Sequence, residues 1–115
     1  MVTLEEALTR LAELSRMLDR ATVEVAQLDE LAVEATVRYE IAHARAYMEG
    51  DGSVEARKRH ALLEVEHLLR AKCLAEVHHR ACRERIRTLG VQIDVGRTLV
   101  SSLRAQWQAE GAGQS

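Results

Sequence analysis

The segment MEGDGSVE, residues 48–55, places two glycines, an aspartate and a serine between two long helical patterns. Gly50 can adopt the left-handed conformation that ends a helix, and Asp51 or Ser53 can cap the helix that follows. Glu55 favours the positive N-terminal end of that second helix. A phosphate-cradling loop would need a following Gly-Lys-Ser/Thr pattern, which this segment lacks. We therefore expect residues 50–53 to form the turn of a helical hairpin.

The first helix is predicted over residues 3–49. Thr3 and Glu6 match the capping box, in which each side chain accepts a hydrogen bond from the backbone N–H of the other residue. A seven-residue repeat follows, and no charged residue interrupts it. One series of positions reads Leu4, Leu11, Leu18, Val25, Ala32, Tyr39 and Ala46, and the other reads Ala7, Leu14, Ala21, Leu28, Ala35 and Ala42.

The second helix is predicted over residues 53–108, and it carries its own repeat as far as Trp107. Gly90 and Gly96 each cost about 1 kcal/mol inside a helix, and the sequence leaves open whether the helix bends near 90–96. We expect one helical-hairpin domain over residues 1–110 and a flexible tail over 109–115.

Composition favours long helices, with no proline, no phenylalanine and only three aromatic residues in 115. Because a core built largely of alanine is thin, we expect the hairpin to assemble into a homo-oligomeric helical bundle or ring. Cys73 and Cys82 would lie about 13 Å apart on one helix, too far for a disulfide, so a cytoplasmic setting is expected. The predicted oligomer seam comprises Leu11, Leu18, Val25, Leu28, Leu68, Ile86, Leu89, Ile93 and Leu103.

Charge is distributed unevenly along the chain. Residues 1–56 hold 5 Lys+Arg against 12 Asp+Glu, whereas residues 57–115 hold 11 against 6. At 100° per residue, three arginines of the second helix fall within about 60° of one another, and a basic run opens that helix. These cations either pair with the acidic first helix or bind phosphates. The candidate nucleic-acid-binding residues are Arg57, Lys58, Arg59, Arg80, Arg83 and Arg87.

Other chemistry has weaker support in the sequence. His78 and Cys82 share a helix face and could both bind zinc, yet no Cys-x-x-Cys pair accompanies them, so no metal site is predicted. A cysteine–histidine nucleophilic pair needs a groove and an oxyanion hole, which a regular coiled coil does not offer. We expect no catalysis and no cofactor. A zinc-stabilised assembly remains a minor alternative.

The stretches VRYEIAHARAYMEGDGSVEARKRHALLEV, residues 37–65, and RERIRTLGVQIDVGRTLVSSLRAQWQAEG, residues 83–111, resemble a group of small helical proteins of tailed bacteriophages. Those proteins sit among phage replication and recombination functions. More distantly, the chain is similar to UvsY-type recombination mediators. The resemblance implies homo-oligomerisation, contact with single-stranded DNA, and contact with a recombinase or a single-strand-binding protein. It implies no catalysis.

We therefore expect a non-catalytic phage recombination or replication accessory, in the host-cell cytoplasm, that binds single-stranded DNA without sequence preference and acts as a recombination mediator. The alternative is a coiled-coil interaction module, an adaptor or an inhibitor of a host protein, that makes no contact with nucleic acid. No run of about 18 apolar residues occurs, and no membrane role is expected.

Overall fold

A computed structural model describes residues 1–113, which form three α-helices and no strand. Helix α1 spans Leu4–Glu49, α2 spans Val54–Glu64 and α3 spans Glu66–Gly113. These three helices confirm the prediction of an all-α helical hairpin. Among residues 1–113, no helix combines the length and the apolar character that crossing a bilayer requires.

The two arms of the hairpin run antiparallel. Leu11 lies beside Gly96, whereas Leu14 and Ala21, further along α1, pack with Leu89 and Ile93, which precede Gly96 in the chain. Positions therefore rise on α1 as they fall on α3. The chain divides into two compact units, and each has its own packing: unit 1 is Met1–Val23 with Arg83–Ser115, and unit 2 is Glu24–Cys82.

The start of α1 is held by a reciprocal pair of hydrogen bonds. The Glu6 backbone N–H donates to the Thr3 hydroxyl oxygen at 3.1 Å, and the Thr3 N–H donates to the Glu6 carboxylate at 3.3 Å. Both bonds satisfy donors that a helix start would otherwise leave to water. The capping box expected from the sequence is present.

The turn between α1 and α2 uses its glycines differently from the expectation. Gly52, with φ of 95°, is the residue in the left-handed region, and Gly50 is not. Gly50 is instead buried, and a Cβ built there would lie 3.2 Å from a ring carbon of His60. Ser53 caps α2, because its hydroxyl oxygen accepts a hydrogen bond from the Ala56 N–H at 3.2 Å.

Unit 1 is held together by one apolar cluster. Leu14 and Ala21 of α1 pack with Leu89 and Ile93 of α3, and all four are buried. Leu11, Leu18 and Ile86 cover this cluster and stay partly exposed. Gly96 lets the helices approach closely, since a Cβ there would lie 3.2 Å from Leu11 Cδ1.

Unit 2 has a second cluster beside the turn. Ala46, Ala61 and Val65 are buried, and Ala61 has no exposed surface. Four partly buried side chains surround them: Tyr39, Ala42, Tyr47 and Leu68. Small residues at the centre and larger ones at the edge produce the thin core that the composition predicted.

The side chains predicted as an oligomer seam are covered within the chain. Leu89 and Ile93 are buried, and the other seven are half-buried: Leu11, Leu18, Val25, Leu28, Leu68, Ile86 and Leu103. Burial of this surface does not require a second copy. Homo-oligomerisation stays a prediction, and so does the part that these half-buried side chains would take in it.

The second arm is interrupted at a position that its glycines did not indicate. The break falls at Val65, where ψ is 18°, and α3 continues through Gly90 and Gly96. The Val65 N–H donates to the Ala61 carbonyl, and the Val65 carbonyl accepts from the N–H groups of both Leu68 and Leu69, so both backbone groups of Val65 are paired. Residues 109–113 continue α3, residues 114–115 lie outside the described part, and the flexibility of the predicted tail stays a prediction.

Candidate nucleic-acid interface

The basic run at the start of α2 presents three different side-chain environments. Arg59 is exposed and has no ion pair, and Lys58 lies 3.8 Å from Glu55 on the same helix. Arg57 is half-buried, and its Nε is buried without a hydrogen-bond partner. Lys58 and Arg59 are therefore available to an anion, whereas Arg57 is partly occupied by packing.

Arg80 of α3 lies at the edge of a groove in unit 2. The groove has a volume of about 310 Å³, and Val33, Val37 and Glu76 contribute to its walls. The Arg80 side chain is exposed, and no acidic group among residues 1–113 lies within salt-bridge distance of it. Its guanidinium can therefore make charge-assisted hydrogen bonds to a phosphate without losing a partner.

Arg83 and Arg87 belong to unit 1 and continue the same helix. Arg83 is exposed and has no ion pair with any described residue. Arg87 Nη1 lies 2.9 Å from the Glu84 carboxylate, three residues earlier on α3. An exposed pair of this kind contributes little to stability, so exchanging Glu84 for a phosphate costs little.

None of the six candidate cations forms a salt bridge with the acidic helix α1. Two other basic residues of α3 also have their acidic neighbour on α3: Lys72 lies 3.9 Å from Glu76, and Arg97 lies 3.9 Å from Asp94. Both partners of each pair lie on the same helix. Of the two interpretations open from the sequence, pairing across the hairpin is therefore not how these residues are arranged.

One contact across the hairpin involves a histidine. His79 Nε2 lies 3.6 Å from the Asp29 carboxylate within unit 2. Beside it, the Lys72 ammonium lies 5.4 Å from the centre of the Tyr39 ring, within the range of a cation–π contact. Lys72 and His79 belong to the seven-residue repeat of the second arm, and these contacts give their side-chain nitrogens a partner. One series of that repeat reads Val65, Lys72, His79, Ile86, Ile93, Val100 and Trp107.

The cysteines and histidines of α3 differ in their exposure. Cys73 and His78 are exposed, whereas Cys82 is buried and His79 is half-buried. Within residues 1–113, no three His, Cys, Asp or Glu side chains are placed to share a metal ion.

Two features were missed by the sequence analysis. Arg38 and Arg45 of α1 are exposed and have no ion pair, although they lie in the acidic half of the chain. A stripe of apolar side chains also lies on the outside of α1. Its signal is present in the sequence as apolar residues four, four, three and four positions apart: Val33, Val37, Ile41, Ala44 and Met48.

Comparisons with protein-family models, with curated proteins and with solved structures find no match for this chain.

Proposed function

We propose that this protein is a non-catalytic accessory of phage DNA recombination or replication that binds single-stranded DNA through its phosphates. The observation that carries the proposal is the environment of Arg80 and Arg83, which are exposed on α3 and have no anionic partner among residues 1–113. Two positive charges without local partners on one helix favour a polyanion. The resemblance to phage recombination mediators supplies the biological setting.

Binding of this kind should be led by the backbone of the strand. Arginine forms paired hydrogen bonds to phosphate oxygens, and these contacts carry no sequence information. Only three aromatic residues exist in the chain, so base stacking contributes little. We therefore expect similar affinity for unrelated sequences and a strong dependence on salt.

Fluorescence anisotropy with a labelled oligonucleotide at about 50 mM salt tests the proposal. The test variant is Arg80→Glu/Arg83→Glu/Arg87→Glu. We expect it to lose binding and to lower the slope of log affinity against log salt by about 2, since each single-strand phosphate contact contributes about 0.7.

The matched control reverses three exposed arginines of α1, as Arg10→Glu/Arg16→Glu/Arg20→Glu. It changes the net charge of the protein by the same amount at a different surface. The proposal requires the control to retain more affinity than the test variant, with both variants helical by circular dichroism. Equal losses would mean that only net charge matters, and absence of binding by the unchanged protein would exclude the function.

The alternative, an adaptor or inhibitor that contacts a protein and no nucleic acid, is favoured by a different observation. Leu62 and Leu63 are exposed on α2, next to Arg59. Aliphatic side chains beside a cation suit an amphipathic helix with acidic flanks. A pull-down after nuclease treatment, compared with a Leu62→Asp/Leu63→Asp variant, tests it: a partner retained without DNA and lost in the variant supports the adaptor.

A further inference from the structure

Helix α1 has a second apolar face inside unit 2, which we call the outer face: Val33, Val37, Ile41, Ala44 and Met48. At 100° per residue these five residues fall within an arc of about 80°, on the side opposite the seam that packs in the hairpin. Val33, Val37, Ile41 and Met48 are between 48% and 81% exposed. The seam of α1 packs inside the hairpin, whereas these four side chains stay about half exposed or more, and Val33 and Val37 also line the groove beside Arg80.

The amount of exposed surface indicates that this chain buries less than a compact monomer does. Its accessible surface is 8584 Å² for a mass of 12.9 kDa. A folded monomer of that mass typically exposes about 6,300 Å², so about 2,300 Å² is in excess. A specific interface removes roughly 600 to 1,000 Å² from each partner. The excess is therefore larger than one stable dimer contact needs.

The charges around the outer face indicate which occupant fits. Glu30 and Glu34 lie towards its N-terminal end. Arg38 and Arg45 lie along one edge towards its C-terminal end, and Glu40 lies on the other edge. None of these five residues forms an ion pair within the described chain. A second copy laid antiparallel on the outer face brings the acidic end of each helix to the basic end of the other.

We infer that the outer face of α1 binds the outer face of a second copy in an antiparallel, two-fold symmetric dimer. With the symmetry axis between Glu34 and Arg38, Glu34 of each copy lies opposite Arg38 of the other. Because the contact is isologous, the ion pair forms twice, and the apolar residues Val33, Val37 and Ile41 of both copies meet around the axis. This inference does not depend on DNA binding. Its surface contains none of the six candidate cations, but Val33 and Val37 border the groove that Arg80 also lines.

Sedimentation velocity and light scattering without nucleic acid, with protein up to about 100 µM, test the dimer. We expect the unchanged protein to reach twice 12.9 kDa. The variant Val37→Glu/Ile41→Glu should raise the dissociation constant on the order of a hundredfold, because it places charges in a face that must be dry. Leu74→Glu, an exposed apolar position on α3, is the matched control and should leave the dimer unchanged.

A charge exchange tests the antiparallel geometry. Glu34→Arg alone should weaken the dimer, because each copy then sets an arginine opposite Arg38 of the other. Adding Arg38→Glu to the same chain restores opposite charges in the antiparallel arrangement and should restore the dimer. Failure of the second change to restore it would overturn the two-fold pairing.

Three further results would overturn the inference: a mass of 12.9 kDa at every concentration, a closed assembly larger than two copies, or a dimer that Val37→Glu/Ile41→Glu does not weaken. Each can occur whether or not the protein binds DNA, so the two proposals fail separately.

Discussion

Replacing Leu89 with alanine should test whether the α1–α3 packing of unit 1 holds the protein together. Leu89 is 3% exposed and packs in the cluster that contains Leu14, Ala21 and Ile93. Buried Leu→Ala changes cost 2–5 kcal/mol, and the cost rises with the cavity left behind, by the general rule. The side chains around this cluster are partly exposed and can move inward, so we expect a loss near the lower end, about 2 to 3 kcal/mol.

The matched control is Leu74→Ala, the same change on the same helix. Leu74 is 58% exposed, so the folded state buries less than half of its side chain. Full burial of a leucine contributes about 1.5 to 3 kcal/mol, so the control should lose below about 1 kcal/mol. Helix propensity changes equally in both variants, and it cancels in the difference between them.

Urea unfolding followed by circular dichroism measures both free energies of unfolding. The measurement must use one protein concentration for all variants, because self-association adds a concentration-dependent contribution to the apparent stability. We expect Leu89→Ala to be the less stable variant by about 2 kcal/mol. Equal losses for the two variants would mean that the face of α3 bearing Leu89 is not the one packed against α1.

Further substitutions examine the turn and the close contacts. Gly52→Ala should lower the unfolding free energy by about 1 to 2 kcal/mol, because φ is 95° there, whereas Gly90→Ala should raise it by up to about 1 kcal/mol, since a Cβ there meets nothing within 4 Å. In urea unfolding, the two variants should change the unfolding free energy in opposite directions. A loss of stability in Gly90→Ala as well would contradict the helical conformation at Gly90. Ala61→Leu should cost about 1 to 3 kcal/mol, because Ala61 has no exposed surface and the extra carbons must displace Ala46 or Val65. Stability unchanged in thermal unfolding would show that the second cluster is looser than described.

The hairpin could be predicted because its signal is local and repeated. All thirteen seam positions of α1 are buried or half-buried in the structure, from Leu4 to Ala46. A seven-residue repeat requires one stripe of a helix to face a partner, whatever the partner is. The nature of the partner was not determined by the repeat. The same repeat can pack against a second helix of the same chain or against a helix of another copy. In the structure it packs against the second arm of the same chain.

The backbone irregularities could not be predicted from the glycines. A glycine permits either a left-handed backbone conformation or a close contact, and the sequence does not say which of the two occurs. Gly96 costs about 1 kcal/mol of helix propensity, yet it lies where a Cβ would meet Leu11, so close helix contact offsets that cost. Gly50 likewise permits contact with His60 and leaves the left-handed conformation to Gly52. The break at Val65 carries no glycine or proline signal, and it places both Val65 and Ala61 in the core.

The charge pattern predicted which residues are exposed and did not predict their partners. An acidic half followed by a basic half suggested pairing across the hairpin, yet the candidate cations that have partners find them three residues away on their own helix. Such neighbours lie within reach before the arms meet, so they form without a tertiary requirement. The apolar outer face was not predicted because its five residues share their stretch of α1 with the longer seam repeat, and the two apolar patterns overlap in sequence.

The net negative charge of the protein opposes binding to DNA. The proposed arginines must therefore attract phosphates strongly enough to outweigh that repulsion. Unit 2 holds eight Lys+Arg and eleven Asp+Glu, a net charge of −3, whereas unit 1 holds eight and seven, a net charge of +1. At 0.1 M salt the Debye length is about 10 Å, so a phosphate responds mainly to charges within about two turns of a helix. Affinity must therefore come from the few guanidinium groups without a local partner, Arg80 and Arg83 among them. If the affinity instead follows net charge, the reversals on α1 and on α3 must be equally damaging, and the arginines of α3 have no special role.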